Sequence, residues 1–249
     1  MSEPMTQKLD VRSGANAEPS NGVNDGLVPV YRPTTLTPDA LREQDEVYGA
    51  LTQAVRGLNE AQLRTEVDPD LVRVVTAQIE SITARLLVRA RAASFGLELG
   101  HDGGAREHGN PVLGLRNPFA AALGENAMFW GEKDAYAELE LGPLYEGPPG
   151  LVHGGVLALL LDQLFTEAAA AAGMPAMTVN LVVNYRRPTP LGTVGMRAWL
   201  ESIDGAKRRL KATVYDPEGN VTTESECLLV LPKAIEAGNL WPKRPPRPR

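Results

Sequence analysis

One stretch constrains this chain more than any other: residues 150–162, which read Gly-Leu-Val-His-Gly-Gly-Val-Leu-Ala-Leu-Leu-Leu-Asp. The glycines and prolines of residues 146–150 cannot continue a strand, so they end the element that precedes them. After Gly155 the chain is apolar almost without interruption, which is typical of a helix that is packed on all sides. The stretch therefore predicts a turn that leads directly into a central, buried helix.

This helix would carry a carboxylate, Asp162, among its leucines. Burial of a carboxylate without a partner costs several kcal/mol, so Asp162 needs either a partner or a chemical role. Gly155 and Asp162 share one helix face but lie about 10 Å apart. That distance is too long for one reacting carbonyl group to contact both. If they act together, Asp162 of one copy meets the glycine turn of a second copy across a two-fold contact.

Gly154 and Gly155 suit a ligand site at the start of the predicted helix. The first N–H groups of a helix have no intrahelical acceptor and attract negative charge. A glycine also lets a ligand approach the backbone closely, because it has no side chain.

The composition limits the kinds of protein that this chain can be. Its 249 residues, 43% of them apolar, are enough for one sizeable core or for one domain with an extension. A net charge of -6 disfavours a nucleic-acid-binding surface, and the single cysteine, Cys227, excludes an intrachain disulfide framework. The polar amino terminus lacks the apolar core of a signal peptide, and His153, Asp162 and Glu167 interrupt the apolar helix. We therefore expect a cytoplasmic protein without a nucleic-acid or membrane partner.

Two helices are predicted before the central region. Thr37 and Pro38 predict a helix start, and this helix is expected to end near Leu58. Apolar residues at helical spacing predict a second helix from about Asp70 to Phe95. We expect this pair to pack on the main domain or on a second copy, with a lid over an active site as the alternative.

Residues 101–111 have the composition of a loop and contain two of the three histidines, His101 and His108. No cysteine is nearby and the histidines lack helical spacing, so a metal site is disfavoured. We expect both histidines to lie in a surface loop and no metal ion to bind.

Strand patterns surround the central helix. Residues 135–141 alternate between apolar and polar, which predicts a half-buried strand before it. The helix is expected to end near Gly173, because a glycine there can act as its C-cap. Four strands are predicted after it, at about residues 177–188, 193–203, 206–215 and 221–231, and their short connections favour antiparallel hairpins. The order of strand, helix and a meander of four strands predicts an α+β fold, with one antiparallel sheet wrapped around one helix.

Alternation in the strand after the helix predicts which side chains share a face. Val179, Leu181, Val183 and Tyr185 are expected to point one way, and Thr178, Asn180, Asn184 and Arg186 the other.

Four features together resemble the hotdog-fold acyl-CoA thioesterases, in particular the PaaI-type branch and the related thioesterase superfamily member proteins of animals. They are Glu146-Gly147-Pro148-Pro149-Gly150, His153-Gly154-Gly155, Asp162 nine positions after the histidine, and Asn184-Tyr185-Arg186-Arg187-Pro188. The resemblance covers about residues 110–231 and implies a hotdog domain there. Residues 31–109 would then be a helical extension and loop, residues 1–30 a disordered amino terminus, and residues 232–249 a proline-rich basic tail.

The resemblance also implies a dimer in which each active site uses both chains. The backbone N–H of Gly154 would donate to the thioester carbonyl, and Asp162 of the other chain would act as general base on water or as nucleophile. Either Thr178 or Thr166 would orient the water. His153 is expected to shape the turn through a hydrogen bond rather than to transfer a proton.

One position departs from the pattern of the family. Many relatives carry Asn or Gln about six residues before the histidine, where it helps to polarise the carbonyl or hold the water. Here that position is Gly147, which leaves the second contact to the carbonyl unassigned.

Coenzyme A contacts are also implied by the resemblance, at Asn184, Arg186, Lys207 and Arg208. Arginine suits phosphate because its guanidinium presents forked donors. The alternative for any one of these basic residues is an exposed charge at the edge of the sheet.

The function that follows is an acyl-CoA thioesterase without a cofactor, whose substrate is an acyl-CoA and whose form is a homodimer or dimer of dimers. A non-catalytic acyl-CoA-binding sensor or scaffold with the same fold is the alternative. A hydratase of this fold is a third class, but its closely spaced aspartate and histidine are not found.

Overall fold

The structure, a computed structural model, describes residues 31–92, 96–101, 105–120 and 128–231. The disorder predicted for residues 1–30 and the tail predicted for residues 232–249 lie outside these ranges. The described residues form two compact units. One contains residues 67–92, and the other contains residues 31–66 together with the described chain from residue 96 onward.

The first strand, β1 (Tyr31–Pro33), is followed by the two predicted helices, α1 (Pro38–Arg64) and α2 (Pro69–Leu87). Thr37 caps α1 as predicted, because its Oγ1 accepts the Ala40 N–H at 3.3 Å. This helix runs past its expected end near Leu58, since residues 59–64 contain neither glycine nor proline. The second helix ends at Leu87, short of the predicted Phe95.

A small sheet corrects the loop that we expected at residues 101–111. β1 pairs in parallel with β2 (Leu97–Leu99), which pairs antiparallel with β3 (Ala105–Glu107). His101 is exposed as expected, but His108 is only 2% exposed, because it lies against Glu98 of β2 with Nε2 3.1 Å from Oε2. The expectation of a surface position for His108 is therefore wrong. Within the described ranges, no three His, Cys, Asp or Glu side chains come together as metal ligands.

The large sheet is antiparallel, and six of the described strands belong to it. They are β4 (Met128–Trp130), β5 (Asp134–Leu141), β6 (Met177–Tyr185), β7 (Gly192–Asp204), β8 (Lys207–Tyr215) and β9 (Val221–Val230). The bounds of β5 to β9 confirm the predicted strands closely, whereas β4 was not predicted. Together with the helix that the sheet surrounds, they confirm the hotdog arrangement of an antiparallel sheet around a central helix.

The spatial order of this sheet is β4-β5-β7-β8-β9-β6, which corrects the predicted meander of four strands. Only β7, β8 and β9 form a meander. β6 pairs with β9 instead of with its successor β7, so it lies at one edge of the described sheet. The connection from β6 to β7 passes from that edge to the middle of the sheet, which no local turn signal predicts.

The central helix, α3 (Gly154–Ala171), lies across the sheet and contacts each of its six strands. By length and composition alone it could also cross a membrane, but its apolar side chains form the core with the inner face of the sheet. It ends near Gly173 as predicted, and the positive φ of 70° at this glycine lets Met174 N–H reach Ala169 O at 2.8 Å. The residues buried on α3 include Leu157, Leu160, Leu161, Leu164 and Phe165.

Candidate active site

Hydrogen bonds hold the turn before α3, and one backbone N–H group in it has no acceptor among the described residues. Across residues 147–157, every N–H except that of Gly154 donates to an acceptor among the described residues. Gly154 is the first residue of α3, so its N–H points out of the helix at the positive end of the helix dipole. The donors that are satisfied are those of Gly147, Gly150, Leu151, Val152, His153, Gly155, Val156 and Leu157.

His153 caps the helix. Its Nδ1 accepts the Gly155 N–H at 3.0 Å, and its backbone carbonyl accepts the N–H groups of Val156 and Leu157. A ring nitrogen that accepts this bond cannot also take a proton from water, since its lone pair is already used. The geometry supports the prediction that His153 shapes the turn.

Gly147 is packed directly beneath His153. A Cβ atom at this position would lie 2.8 Å from the Cα and 3.1 Å from the Cβ of His153. Its N–H donates to Leu151 O at 2.9 Å, so it is also not the missing backbone donor. The turn thus has no room for the Asn or Gln that the resemblance places here.

Asp162 lies half-buried on α3 and meets a hydroxyl from the edge strand. The Thr178 Oγ1–H donates to Asp162 Oδ1 at 2.7 Å. The hydroxyl of Thr166 donates instead to Gln163 O at 2.7 Å, within its own helix. The sequence could not decide between the hydroxyls of Thr178 and Thr166. In the structure it is Thr178 that contacts the carboxylate.

A β-bulge at Val179 is what turns Thr178 toward α3. Thr178 pairs with Leu229 and Asn180 pairs with Leu228, so two steps on β6 match one step on β9 and Val179 is left over. Thr178 therefore shares the inner face with Leu181, and Val179 is 63% exposed. The expectation from simple alternation, with Val179 beside Leu181 and Thr178 on the opposite face, is wrong at this point.

The second carboxylate of α3 differs from the first. Glu167 is only 4% exposed, and both of its oxygens accept hydrogen bonds at 2.9 Å, from Trp130 Nε1–H and from Gln163 Nε2–H. Asp162 Oδ2, in contrast, accepts no bond from the described residues. Glu167 therefore stabilises the packing of α3, and Asp162 is the carboxylate that can still take a proton.

Cys227 lies beside Asp162 and Thr178, on the neighbouring strand β9, and is buried. Burial, and then the charge of Asp162, raise the pKa of its thiol to about 12, against a hydrogen bond with Thr178 that lowers it. The thiol therefore stays protonated near neutral pH and is a poor nucleophile.

The four residues considered for coenzyme A do not come together in one protomer. Asn184 and Arg186 lie at one end of the sheet, where Arg186 pairs with Glu224 at 2.7 Å. Lys207 and Arg208 lie at the start of β8, about 20 Å away along the strands. Arg208 is only 7% exposed, and its guanidinium donates to Gly205 O at 2.6 Å.

One contact at the site was not predicted from the sequence. The Tyr185 hydroxyl donates to the carbonyl of Gly154 at 2.7 Å, and its ring lies over the Cα of that glycine. The signal available was its predicted place on the same face of β6 as Leu181 and Val183, but the crossing of β6 over the start of α3 is a tertiary feature.

Taken together, the arrangement offers an oriented N–H donor at Gly154 and a half-buried carboxylate at Asp162, eight residues further along the same helix. Their separation along the helix is about 12 Å. The chemistry that suits such groups is attack of an activated water on a carbonyl whose oxygen gains negative charge.

The comparisons with known proteins agree with this chemistry. Residues 149–223 match a family model described as the thioesterase superfamily. The acyl-coenzyme A thioesterase THEM4 of Mus musculus is 34% identical over 117 residues, which are 45% of this chain and 50% of that protein. THEM4 of Xenopus laevis is 37% identical over 86 residues, or 33% of this chain and 39% of that protein. The chain thus spans half or less of the length of these curated relatives.

A solved structure covers more of the chain. The crystal structure of a thioesterase superfamily protein is 29% identical, covers 82% of this chain and 100% of its own, and superposes with a TM-score of 0.62.

Proposed function

We propose that this chain, which is similar to the thioesterase superfamily over residues 149–223, is an acyl-CoA thioesterase, which hydrolyses an acyl-CoA to a free acid and coenzyme A. The observation that carries the proposal is the Gly154 N–H, left without an acceptor among the described residues at the start of a helix that also bears Asp162. The names of the curated relatives support the substrate class.

The reaction follows from these groups. Asp162 takes a proton from water as the water oxygen bonds to the thioester carbon. The carbonyl oxygen gains a negative charge, which the Gly154 N–H and the helix dipole stabilise more than they stabilise the ground state. The C–S bond then breaks, coenzyme A leaves as the thiolate, and the proton held by Asp162 neutralises it. The Thr178 hydroxyl, which donates to Asp162, has a second lone pair that can accept a proton of the water.

The site would form between two copies of the chain, because Gly154 and Asp162 of one helix are too far apart for one thioester. The edge strand β6 supports such a dimer. It pairs with β9 alone among the described strands, and its exposed side chains include Val179, Val182 and Tyr185. An apolar strand edge of this kind is a template for pairing with a second sheet. A homodimer, or a dimer of dimers, is therefore the proposed form.

Asp162→Asn tests the proposal. The substitution keeps the hydrogen bond from Thr178 possible but removes the base, so we expect thiol release from acyl-CoAs of different chain lengths to fall at least about 100-fold. Asp204→Asn, an exposed carboxylate at the end of β7, is the matched control and should keep wild-type turnover.

Melting temperatures of both variants near the wild-type value would show that the fold is intact. Near-normal turnover by Asp162→Asn would refute the mechanism. If the wild type binds an acyl-CoA saturably but releases no thiol, the non-catalytic sensor is the better function, which the unusual Gly147 would suit.

A further inference from the structure

Tyr185 occupies an unusual position for an aromatic side chain. It lies at the end of the edge strand β6 and is 53% exposed, yet its hydroxyl donates to the Gly154 carbonyl at 2.7 Å. The ring also covers Gly154, since a Cβ atom on that residue would lie 3.1 Å from both Cζ and the hydroxyl oxygen. Tyr185 thus holds the first residue of α3 from the outside.

The peptide group that links Gly154 to Gly155 is held at both of its polar atoms. Tyr185 binds its carbonyl oxygen, and His153 Nδ1 accepts its N–H at 3.0 Å. The preceding peptide is held through its own carbonyl oxygen, that of His153, which accepts the N–H groups of Val156 and Leu157 at 2.9 and 3.2 Å. Both peptides that flank the Gly154 Cα are therefore fixed.

This double fixation matters because the segment is two consecutive glycines. Glycine has the widest choice of backbone angles, so its N–H is the hardest to aim without outside contacts. A donor stabilises a developing oxyanion only when its direction is set before the reaction. Without Tyr185, the peptide between Gly154 and Gly155 would be held only by its N–H, which donates to His153 Nδ1. The bond from Tyr185 holds the carbonyl oxygen of that peptide as well.

We infer that Tyr185 is a positioning residue, which orients the Gly154 N–H toward the carbonyl of the bound thioester. The inference rests on the proposed thioesterase function. Tyr185 does not contact the reacting atoms in this role and acts through the glycine. The same contact explains why residue 154 is glycine, because a side chain there would displace the tyrosine ring.

The test compares Tyr185→Phe with Tyr215→Phe. The first removes the hydroxyl that binds Gly154 and keeps the ring over it. The second removes a hydroxyl on β8, two strands away from β6 in the sheet, that accepts from Thr213 at 2.7 Å. We expect Tyr185→Phe to lower kcat about 10- to 100-fold with KM changed less than about twofold, as for a slightly misplaced catalytic group. Tyr215→Phe should keep both constants.

A second readout does not depend on activity. In protein labelled with ¹⁵N-glycine, Tyr185→Phe should shift the amide signals of Gly154 and Gly155, while Tyr215→Phe leaves them in place. An active wild type with an unchanged kcat in Tyr185→Phe would overturn the inference and leave the thioesterase function standing. A wild type that is inactive on every acyl-CoA would overturn the proposed function and this role with it, and the glycine signals would still report whether the contact forms.

Discussion

At the scale of single residues, the sequence alone was enough to select candidates where a residue is out of place in its local pattern. The apolar run around Asp162 marked that carboxylate, and the glycine turn marked the start of the helix. His153 was expected to shape the turn and is its N-cap. Gly147 could not be understood from the sequence, because the reason for it is the Cα atom of His153, which only the folded turn brings within reach.

Gly147→Asn makes this steric argument testable. The added Cβ would lie 2.8 Å from the Cα of His153, so the turn must move and the free energy of unfolding should fall by about 1–3 kcal/mol. Urea denaturation measures the change. Gly109→Asn is the control, since a Cβ there meets no atom within 4 Å, and it should change stability by less than about 0.5 kcal/mol. Equal stability of the two variants would contradict the packing described for Gly147.

At the scale of helices and strands, the elements with a strong period were predicted well and their partners were not. The apolar run of α3 and the alternation of β5 can be recognised from the local sequence alone. The bulge at Val179 and the pairing of β6 with β9 depend on long-range contacts, and the bulge decides which face Thr178 occupies. The short strands β1, β2, β3 and β4 were missed because three residues carry too little pattern to be recognised.

The small sheet formed by β1, β2 and β3 should make stability depend on pH through His108. Burial lowers the pKa of this imidazole below its usual 6.5, and the charges of Arg116 and Arg106 lower it further, although its hydrogen bond to the Glu98 carboxylate raises it. Below about pH 6.5 the unfolded chain therefore takes up the proton before the folded protein does. The free energy of unfolding should then fall as the pH drops, by at most about 1.4 kcal/mol per pH unit for this one proton.

Denaturation between pH 7.5 and 5 measures this slope. We expect a smaller slope for His108→Asn than for the wild type, even though the variant is less stable at every pH. His101→Asn removes an exposed histidine instead and should keep the wild-type slope. A slope that is the same in all three proteins would show that His108 does not titrate differently in the folded and unfolded states.

At the scale of the whole molecule, the proposed site belongs to two chains, and mixed dimers can test this. Gly154→Pro removes the N–H donor. Its ring would displace the Tyr185 side chain of the same copy, but proline keeps the backbone angles of a first helical position. Asp162→Asn removes the base. Each variant alone should be inactive. In a dimer with one chain of each kind, one site has both intact groups, so we expect about half of the wild-type activity.

Co-expression with two different affinity tags allows these mixed dimers to be isolated. The two pure variants, purified in the same way, are the controls. Mixed dimers without thioesterase activity would contradict the shared site, since a site within one chain is broken in both partners.

The place of β9 in the sheet has a consequence for how the protein is made. This strand lies between β8 and β6 but is the last of the described strands of the sheet to leave the ribosome. At 5–20 residues per second, the 45 residues from 186 to 230 take about 2 to 9 s to translate. During that time β6, with its apolar side chains, has been synthesised and the strand that it pairs with has not. The chain therefore passes through a stage in which Thr178 and Asp162 have been synthesised but β9, the strand beside β6, has not. During this stage a chaperone would protect the unpaired β6 from neighbouring nascent chains.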